Sequence, residues 1–270
     1  MSPAQKERNL IRFLEGISSA IVAFSGGVDS SYLAFLSHRV LGRSARIVTA
    51  LSPSVSRDQE ETVREFVARF GVRHEFIRTH ELDDPDYAAN PNNRCYFCKS
   101  ELFERLEGLR SEWGVDAIFD GTNADDLGDY RPGRQAASEK AIVSPLVEAE
   151  MGKSDIRARS KHWDLPSWDM PATPCLASRL PYGVAVTEEK LRQVDAAESF
   201  IRGLGFTEFR VRHHETLARL EISPREMSRV LDPDVFDRIN RELKTLGYQY
   251  VTLDLQGYRS GSLNELLEIQ

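Results

Sequence analysis

The first half of the chain repeats one pattern, in which short apolar runs are separated by longer segments that are apolar on one side only. Residues 4–15 place Leu10, Ile11 and Leu14 along one side of a short helix. The run at 20–24 predicts a strand and 30–40 a helix. "ARIVTAL" (45–51) predicts a second strand. Residues 57–70 carry the clearest helical period, with Val63, Phe66, Val67 and Phe70 at i, i+3, i+4 and i+7. "RHEFIRT" (73–79) predicts a third strand, 98–112 a helix, and "DAIFD" (116–120) a fourth strand. Strands alternating with helices in this way specify an α/β fold with a parallel, doubly wound sheet.

The pattern stops between 163 and 186. "WDLPSWDMPATPCLASRLPYG" holds four prolines and no period, so it reads as a linker or active-site loop. A different order follows: helix 187–203, strands 207–213 and 216–222, helix 233–246, strand 248–254. That is a small α+β unit containing a hairpin. The expected division is 1–165, a loop or linker at 166–186, and a C-terminal domain at 187–270.

Composition narrows the function classes. The 270 residues are 41% hydrophobic and carry a net charge of −7. The charge and the lack of a basic stretch argue against a nucleic-acid partner. The apolar runs are too short to span a bilayer, so no membrane association is expected. The opening MSPAQKERNL has no apolar leader, and the expected location is cytoplasmic. Three cysteines, an odd number, do not suggest a disulfide framework.

The first candidate chemistry lies in "VAFSGGVDSS" (22–31). A strand that leaves through two glycines and enters a helix at once forms an anion site, because helix-start N–H groups and the helix dipole both favour negative charge. Gly26 and Gly27 allow close approach to the backbone, and Ser25 and Ser30 add hydroxyl donors. The Walker A pattern is absent: the loop has no lysine, and Gly152-Lys153-Ser154 has Val147 where the first glycine belongs. The dinucleotide pattern G-x-G-x-x-G is absent too. S-G-G-x-D-S after a strand resembles the PP-loop of ATP pyrophosphatases, which implies ATP cleaved to AMP and pyrophosphate. "FDGTNADDLGDYRPG" (119–133) follows the fourth strand, where ligands of open α/β sheets gather, and places Gly121, Thr122, Asn123, Asp125 and Asp126 beside the first loop. The expected ATP-side set is Ala23, Ser25, Gly26, Gly27, Asp29, Ser30, Gly121, Thr122 and Asp125. Asp29 and the Asp125/Asp126 pair are candidates for Mg²⁺ or the pyrophosphate side.

Two further clusters stand out. Cys95 and Cys98 have C-x-x-C spacing, and Cys175 lies in the proline-rich stretch. Three thiolates can hold zinc with a histidine, or three irons of a [4Fe–4S] cluster, leaving the fourth iron open for a sulfide. A redox pair and three unrelated thiols stay open as readings. In the C-terminal unit Glu198 falls on the apolar stripe of Leu191, Val194 and Ile201, where a carboxylate needs a partner. Arg210 and Arg212 share one strand face, which makes either a phosphate clamp or a structural Glu–Arg cluster. His213 and His214 read as turn residues.

SGGVDSS, NPNNRCYFCK, GTNADDLGDYRPG, TPCLASRLPYG, FRVRHHETLARLE and DLQGYRSGSLNE together resemble the LarE family, over essentially the whole chain. These are ATP-dependent sulfur-insertion enzymes of nickel-pincer nucleotide synthesis. The resemblance implies a PP-loop sheet with a smaller C-terminal α+β domain. It implies pyridinium-3,5-biscarboxylic acid mononucleotide as substrate, carboxylate adenylation with ATP and Mg²⁺, and replacement of AMP by sulfur. It implies Cys175, Asp29 and Glu198 as catalytic positions. Ser178, Arg210 and Arg212 map to the substrate phosphate, with Glu221 close by. In one type of member the loop cysteine gives up its sulfur and becomes dehydroalanine. The three-cysteine type carries a [4Fe–4S] cluster with a labile sulfide, and Cys95, Cys98 and Cys175 match that type. A homo-oligomer, a hexamer by the resemblance, is expected. The rival readings are a tRNA thiolase, an ammonia-using AMP-forming synthetase, and a non-enzymatic ATP-binding regulator.

Overall fold

The computed structural model describes residues 1–128, 132–171 and 173–259. Residues 129–131 of GTNADDLGDYRPG, Ala172 of the proline-rich stretch and residues 260–265 of the DLQGYRSGSLNE tail lie outside the described residues.

Residues Met1–Ser52, Gln59–Tyr87 and Asn92–Thr173 form one unit. Its sheet has strands β1 (Ala20–Ala23), β2 (Ala45–Leu51), β3 (His74–Arg78) and β4 (Ala117–Phe119), in the order β3-β2-β1-β4. Every pair is parallel, and Val22 faces Ile47 on one side and Phe119 on the other. The helices in chain order are α1 (Pro3–Glu15), α2 (Val28–Leu41), α3 (Arg57–Phe70), α4 (Pro85–Ala88), α5 (Arg94–Trp113), α6 (Pro132–Glu139), α7 (Pro145–Glu148) and α8 (Lys153–His162). The sheet is covered on both faces. Val22, Ile47 and Phe119 pack with Leu10, Tyr32, Phe35 and Phe66, whereas Ile21, Val48 and Ile118 pack with Phe103 and Leu106 of α5. Strands buried on both faces lose the alternating pattern and read as plain apolar runs.

One buried polar knot ties this unit together. Glu7 of α1 is 5% exposed and accepts from Tyr32 Oη (2.7 Å), Trp163 Nε1 (2.8 Å) and both Nε and Nη2 of Arg159 (2.9 and 2.6 Å). Burial pushes the Glu7 carboxyl up, but these donors and the Arg159 charge outweigh it and hold the group below its ordinary range. Glu7→Gln leaves the partly buried Arg159 without its counter-charge and breaks up the donor set around a buried carboxylate. It is expected to destabilise the chain by about 3 kcal/mol, read as a lower urea midpoint with an unchanged slope.

The second unit comprises Pro53–Asp58, Ala88–Pro91 and the chain from Pro174 on. Strands β5 (Phe209–His214) and β6 (Leu217–Ile222) are an antiparallel hairpin, and β7 (Tyr250–Leu253) adds to β6 in parallel. Helices α9 (Glu188–Gly203), α10 (Met227–Val230) and α11 (Pro233–Thr245) accompany this sheet. Thr187 and Asp232 cap α9 and α11. Ala197, Ile201, Phe209, Val211, Leu220 and Ile239 belong to its core.

The two short segments of the first half serve as anchors for the proline-rich stretch. Asn90, wholly buried with φ +56°, donates from Nδ2 to the carbonyls of Pro181 (2.8 Å) and Val184 (2.9 Å). The Ser54 carbonyl accepts from Leu176 N at 2.8 Å. That stretch therefore has tertiary order without periodicity, and a single 3₁₀ turn at Leu176–Arg179.

Candidate active site

The chain leaves β1 through Phe24, Ser25, Gly26 and Gly27 and enters α2 at Val28. Gly26 has φ +79°, the left-handed region that favours glycine, and an added Cβ would lie 3.1 Å from Val63 Cγ2. Gly27 occupies the cap position with no side-chain cap, so no capping oxygen takes the amides that open α2. Ser30 holds the loop: its Oγ accepts from Ser25 N (3.3 Å), donates to the Gly27 carbonyl (3.2 Å) and lies 3.1 Å from Ser25 Oγ. Ser31 Oγ donates to the Gly26 carbonyl at 3.2 Å. These bonds are the geometry of a preformed anion cradle.

The loop after β4 closes on the same helix start. A Cβ on Gly121 would lie 3.1 Å from Ser30 N and 3.2 Å from its Cα, so that position admits glycine alone without displacement. Asp120 pins the loop by accepting from Thr122 N, Thr122 Oγ1 and Ser144 Oγ. Asn123 Nδ2 donates to Asp29 Oδ2 at 3.3 Å, which joins the two loops. Asp125 and Asp126 are engaged locally. Asp125 Oδ2 accepts from Lys153 N (2.7 Å), and Asp126 Oδ2 accepts from Asn123 N (3.1 Å).

Lys153 is the residue that the sequence reading passed over. Gly152-Lys153-Ser154 is no Walker motif, yet it starts α8, and Lys153 Nζ reaches Asp29 Oδ2 at 2.5 Å. The available signal was a glycine-lysine pair at a helix start, after a fourth strand that ends at the sheet's ligand edge. Asp29 keeps its other oxygen, Oδ1, buried with no hydrogen-bond partner among the described residues. An orphaned, buried carboxylate oxygen beside an anion cradle is a hard donor of the kind that Mg²⁺ takes.

The second unit gathers a different set. Glu198, buried on α9, accepts from Arg179 Nε (2.9 Å) and Nη2 (2.8 Å) and from Val211 N (3.0 Å). Burial pushes its carboxyl up, but Arg179 and Arg210 overcome this and keep it ionised. The partner that its apolar position demanded is thus chiefly Arg179. Glu221, wholly buried, accepts from Arg212 Nη2 (2.8 Å) and Arg219 Nη2 (3.3 Å). Arg212 Nη1 also donates to the Ser178 carbonyl (2.9 Å), and the Arg210 guanidinium lies over the Tyr258 ring at 5.0 Å. Burial and the neighbouring Arg179 charge both lower the Arg210 pKa. Here three buried guanidiniums, those of Arg179, Arg210 and Arg212, face two buried carboxylates. That balance suits an incoming anion. Neither His213 nor His214 is a turn residue, since both lie in β5, with His214 its exposed last residue. His213 is buried with Nδ1 3.1 Å from Tyr248 Oη, and its burial favours the neutral ring.

The cysteines divide between the units. Cys95, exposed, and Cys98, half-buried, are the second and fifth residues of α5, which starts at Arg94 rather than at 98, with Asn93 as its N-cap. Three residues apart on a helix, they share a face. Cys175, half-buried, precedes the 3₁₀ turn of the second unit. Among the described residues no group of three or more His, Cys, Asp or Glu side chains is placed to hold a metal, and no helix is long and apolar enough to cross a membrane.

The parallel sheet, the glycine cradle at the end of β1 and the loop after β4 define an enzyme of the PP-loop class. No protein-family model matches the chain. It is 36% identical, over 98% of its own length and 95% of the relative's, to pyridinium-3,5-bisthiocarboxylic acid mononucleotide synthase of Lactiplantibacillus plantarum, and it belongs to that synthase family. It is also 44% identical to an uncharacterized protein of Synechocystis sp., over 97% of this chain and 98% of that one. A more distant relative, one of the subunits of the glutamine-hydrolyzing GMP synthase of Pyrococcus furiosus, is 26% identical over 71% of this chain and 65% of that one.

Proposed function

We propose that this chain is an AMP-forming sulfurtransferase that uses ATP to insert sulfur into pyridinium-3,5-biscarboxylic acid mononucleotide. The observation that carries the reading is the identity, spread over nearly the whole chain, with a synthase named for a bisthiocarboxylic product. The ATP pyrophosphate lies over Gly26 and Gly27, with Ser25 and Ser30 as hydroxyl donors, Ala23 and Gly121–Thr122 as walls, and Lys153, held on Asp29, as a nearby cation. Asp29 Oδ1, buried and unpartnered among the described residues, would hold Mg²⁺, which would supply charge neutralisation at the phosphates. Asp125 serves indirectly, since its Oδ2 is engaged at the start of α8. A substrate carboxylate oxygen attacks the α-phosphorus, pyrophosphate leaves, and an acyl-adenylate forms. A sulfur nucleophile then attacks the acyl carbon and AMP departs with the former carboxylate oxygen, leaving a thiocarboxylate. A free carboxylate resists this attack, whereas AMP is a good leaving group.

Arg210, Arg212 and Ser178 hold the substrate phosphate, with Glu221 orienting Arg212. Arg210→Ala and Arg212→Ala are each expected to raise KM for the mononucleotide about tenfold or more, for loss of a charge-assisted contact of about 1.5–3 kcal/mol. KM for ATP should stay near the wild-type value, and initial-rate kinetics with each substrate varied in turn checks both.

Cys175 takes part in sulfur delivery in one of two ways. In the first, Cys95, Cys98 and Cys175 hold a [4Fe–4S] cluster. Three thiolates are the donor set such a cluster takes, but the described residues bring no three such side chains together around a metal. Such a cluster supplies a labile sulfide when bound. In the second, Cys175 attacks the acyl-adenylate through Sγ and expels AMP. Loss of the Cα proton and cleavage of Cβ–Sγ then leave thiocarboxylate and dehydroalanine. A tRNA thiolase is disfavoured by the net charge of −7. The experiment for the whole reading is anaerobic incubation with ATP, Mg²⁺ and the mononucleotide, in which AMP, pyrophosphate and thiocarboxylate should appear together.

A further inference from the structure

Arg179 has a tightly held side chain in the second unit. It is 2% exposed although it lies in an otherwise irregular stretch. Its Nε and Nη2 form a fork on Glu198. Its Nη1 shares two protons among three acceptors, the carbonyls of Pro174 (2.6 Å) and Cys175 (3.0 Å) and the hydroxyl of Ser178 (3.0 Å). Glu198 in turn accepts from Val211 N, so one guanidinium links the Cys175 turn to α9 and to β5. The turn is gripped at two more points, where Leu176 N donates to Ser54 O and Arg212 Nη1 donates to Ser178 O. Burying a guanidinium costs free energy that a loop of this length does not need to spend for stability alone. What the grip provides is one fixed backbone geometry across residues 174–178. Those residues hold the reactive thiol and one of the proposed substrate-phosphate groups.

We propose that Arg179 is a positioning residue for sulfur transfer: it locks the Cys175–Ser178 turn onto the Glu198 carboxylate, so that Cys175 and the substrate phosphate keep one mutual register. This rests on the reading that Cys175 takes part in sulfur delivery, as donor or as cluster ligand, and holds for either source. Lysine keeps the charge opposite Glu198 but cannot fork on the carboxylate and grip three loop acceptors at once. The substitution therefore removes the register and leaves the charge. Misplacement of reacting groups by about 1 Å costs on the order of a hundredfold in rate. The acyl-adenylate then persists and is lost to water as free acid and AMP.

The test uses the full chain with Arg179→Lys and Arg179→Gln, handled anaerobically. Thiocarboxylate and AMP are quantified in the same reaction, and amide hydrogen exchange is followed by mass spectrometry. The expected result is a fall of about tenfold or more in thiocarboxylate formed per AMP, with faster exchange confined to 174–180 while α9 and β5 stay protected. A merely structural role would not change the product ratio. An unchanged ratio in a variant whose loop exchanges faster would overturn the proposal. So would loss of protection across α9 and β5 with both products falling in parallel, because Arg179 would then support the unit rather than the turn. A wild-type chain that forms no thiocarboxylate counts against the sulfur-transfer reading instead. The exchange data then still decide whether Arg179 locks the turn.

Discussion

Asp29→Ala is expected to lower pyrophosphate release from ATP by about a hundredfold or more, the size of effect seen when a preorganised charge is removed from a transition state. Asp29 is the second residue of α2, at the point where the free amides of the cradle and the loop after β4 converge. Its Oδ2 accepts from Lys153 Nζ and Asn123 Nδ2, while Oδ1 is buried and unpaired among the described residues. The side chain thus has one oxygen committed to holding a cation and an amide in place, and one left for a metal. Alanine removes both. Asp29→Asn keeps the shape and one acceptor, so it should retain the fold and still lose most of the activity through loss of the charge. The Lys153 pair is partly exposed and contributes under about 1 kcal/mol, so neither variant should unfold the chain. Release of pyrophosphate at the wild-type rate by a folded Asp29→Ala chain would remove the PP-loop assignment of this site.

Replacing the cysteines one at a time is the second large effect. If all three hold an open-site cluster, anaerobically purified protein should be brown, with about four iron and four labile sulfide per chain. Each of Cys95→Ala, Cys98→Ala and Cys175→Ala should then lose the colour and the repeated turnover together, since three ligands leave none to spare. If Cys175 is consumed, the pattern changes. Only Cys175→Ala is inactive, each chain reacts once, and the spent chain lacks the elements of H₂S at Cys175. Cys95→Ala and Cys98→Ala decide between the two. Full activity in both, beside an inactive Cys175→Ala, would leave the C-x-x-C pair as a feature of the α5 start and Cys175 as the sulfur donor.

The doubly wound sheet was legible because its signals are local. The strand at 45–51 and the helix at 57–70 carry their own periods and were bounded as observed. The cradle was legible for the same reason, as two glycines and two serines at a strand-to-helix turn need no distant partner to be recognised. What stayed hidden depends on contacts distant in sequence. Helix α8 reads as a run of charges, with only Ile156 and Ser160 buried, so its hydrophobic pattern gave no warning that Lys153 would reach Asp29. Segments 53–58 and 88–91 join the second unit through bonds to residues about ninety to a hundred and twenty positions downstream, beyond any local pattern. Glu198 did signal that it needed a cation. Its chief partner proved to be Arg179 in the proline-rich stretch rather than the two strand arginines, because a fork from Nε and Nη2 satisfies both carboxylate oxygens at once.

The central claim is that a substrate carboxylate is adenylated before sulfur arrives, and oxygen-18 tests it most directly. The mononucleotide is prepared with oxygen-18 in its carboxylates, incubated anaerobically with the wild-type chain, ATP and Mg²⁺, and the AMP and pyrophosphate are weighed by mass spectrometry. Attack of the carboxylate on the α-phosphorus, followed by departure of AMP, predicts one oxygen-18 in each AMP formed alongside thiocarboxylate and none in pyrophosphate. Thiocarboxylate accompanied by unlabelled AMP would contradict the account, because the oxygen lost from the substrate would then have left by a route that never joined it to the nucleotide.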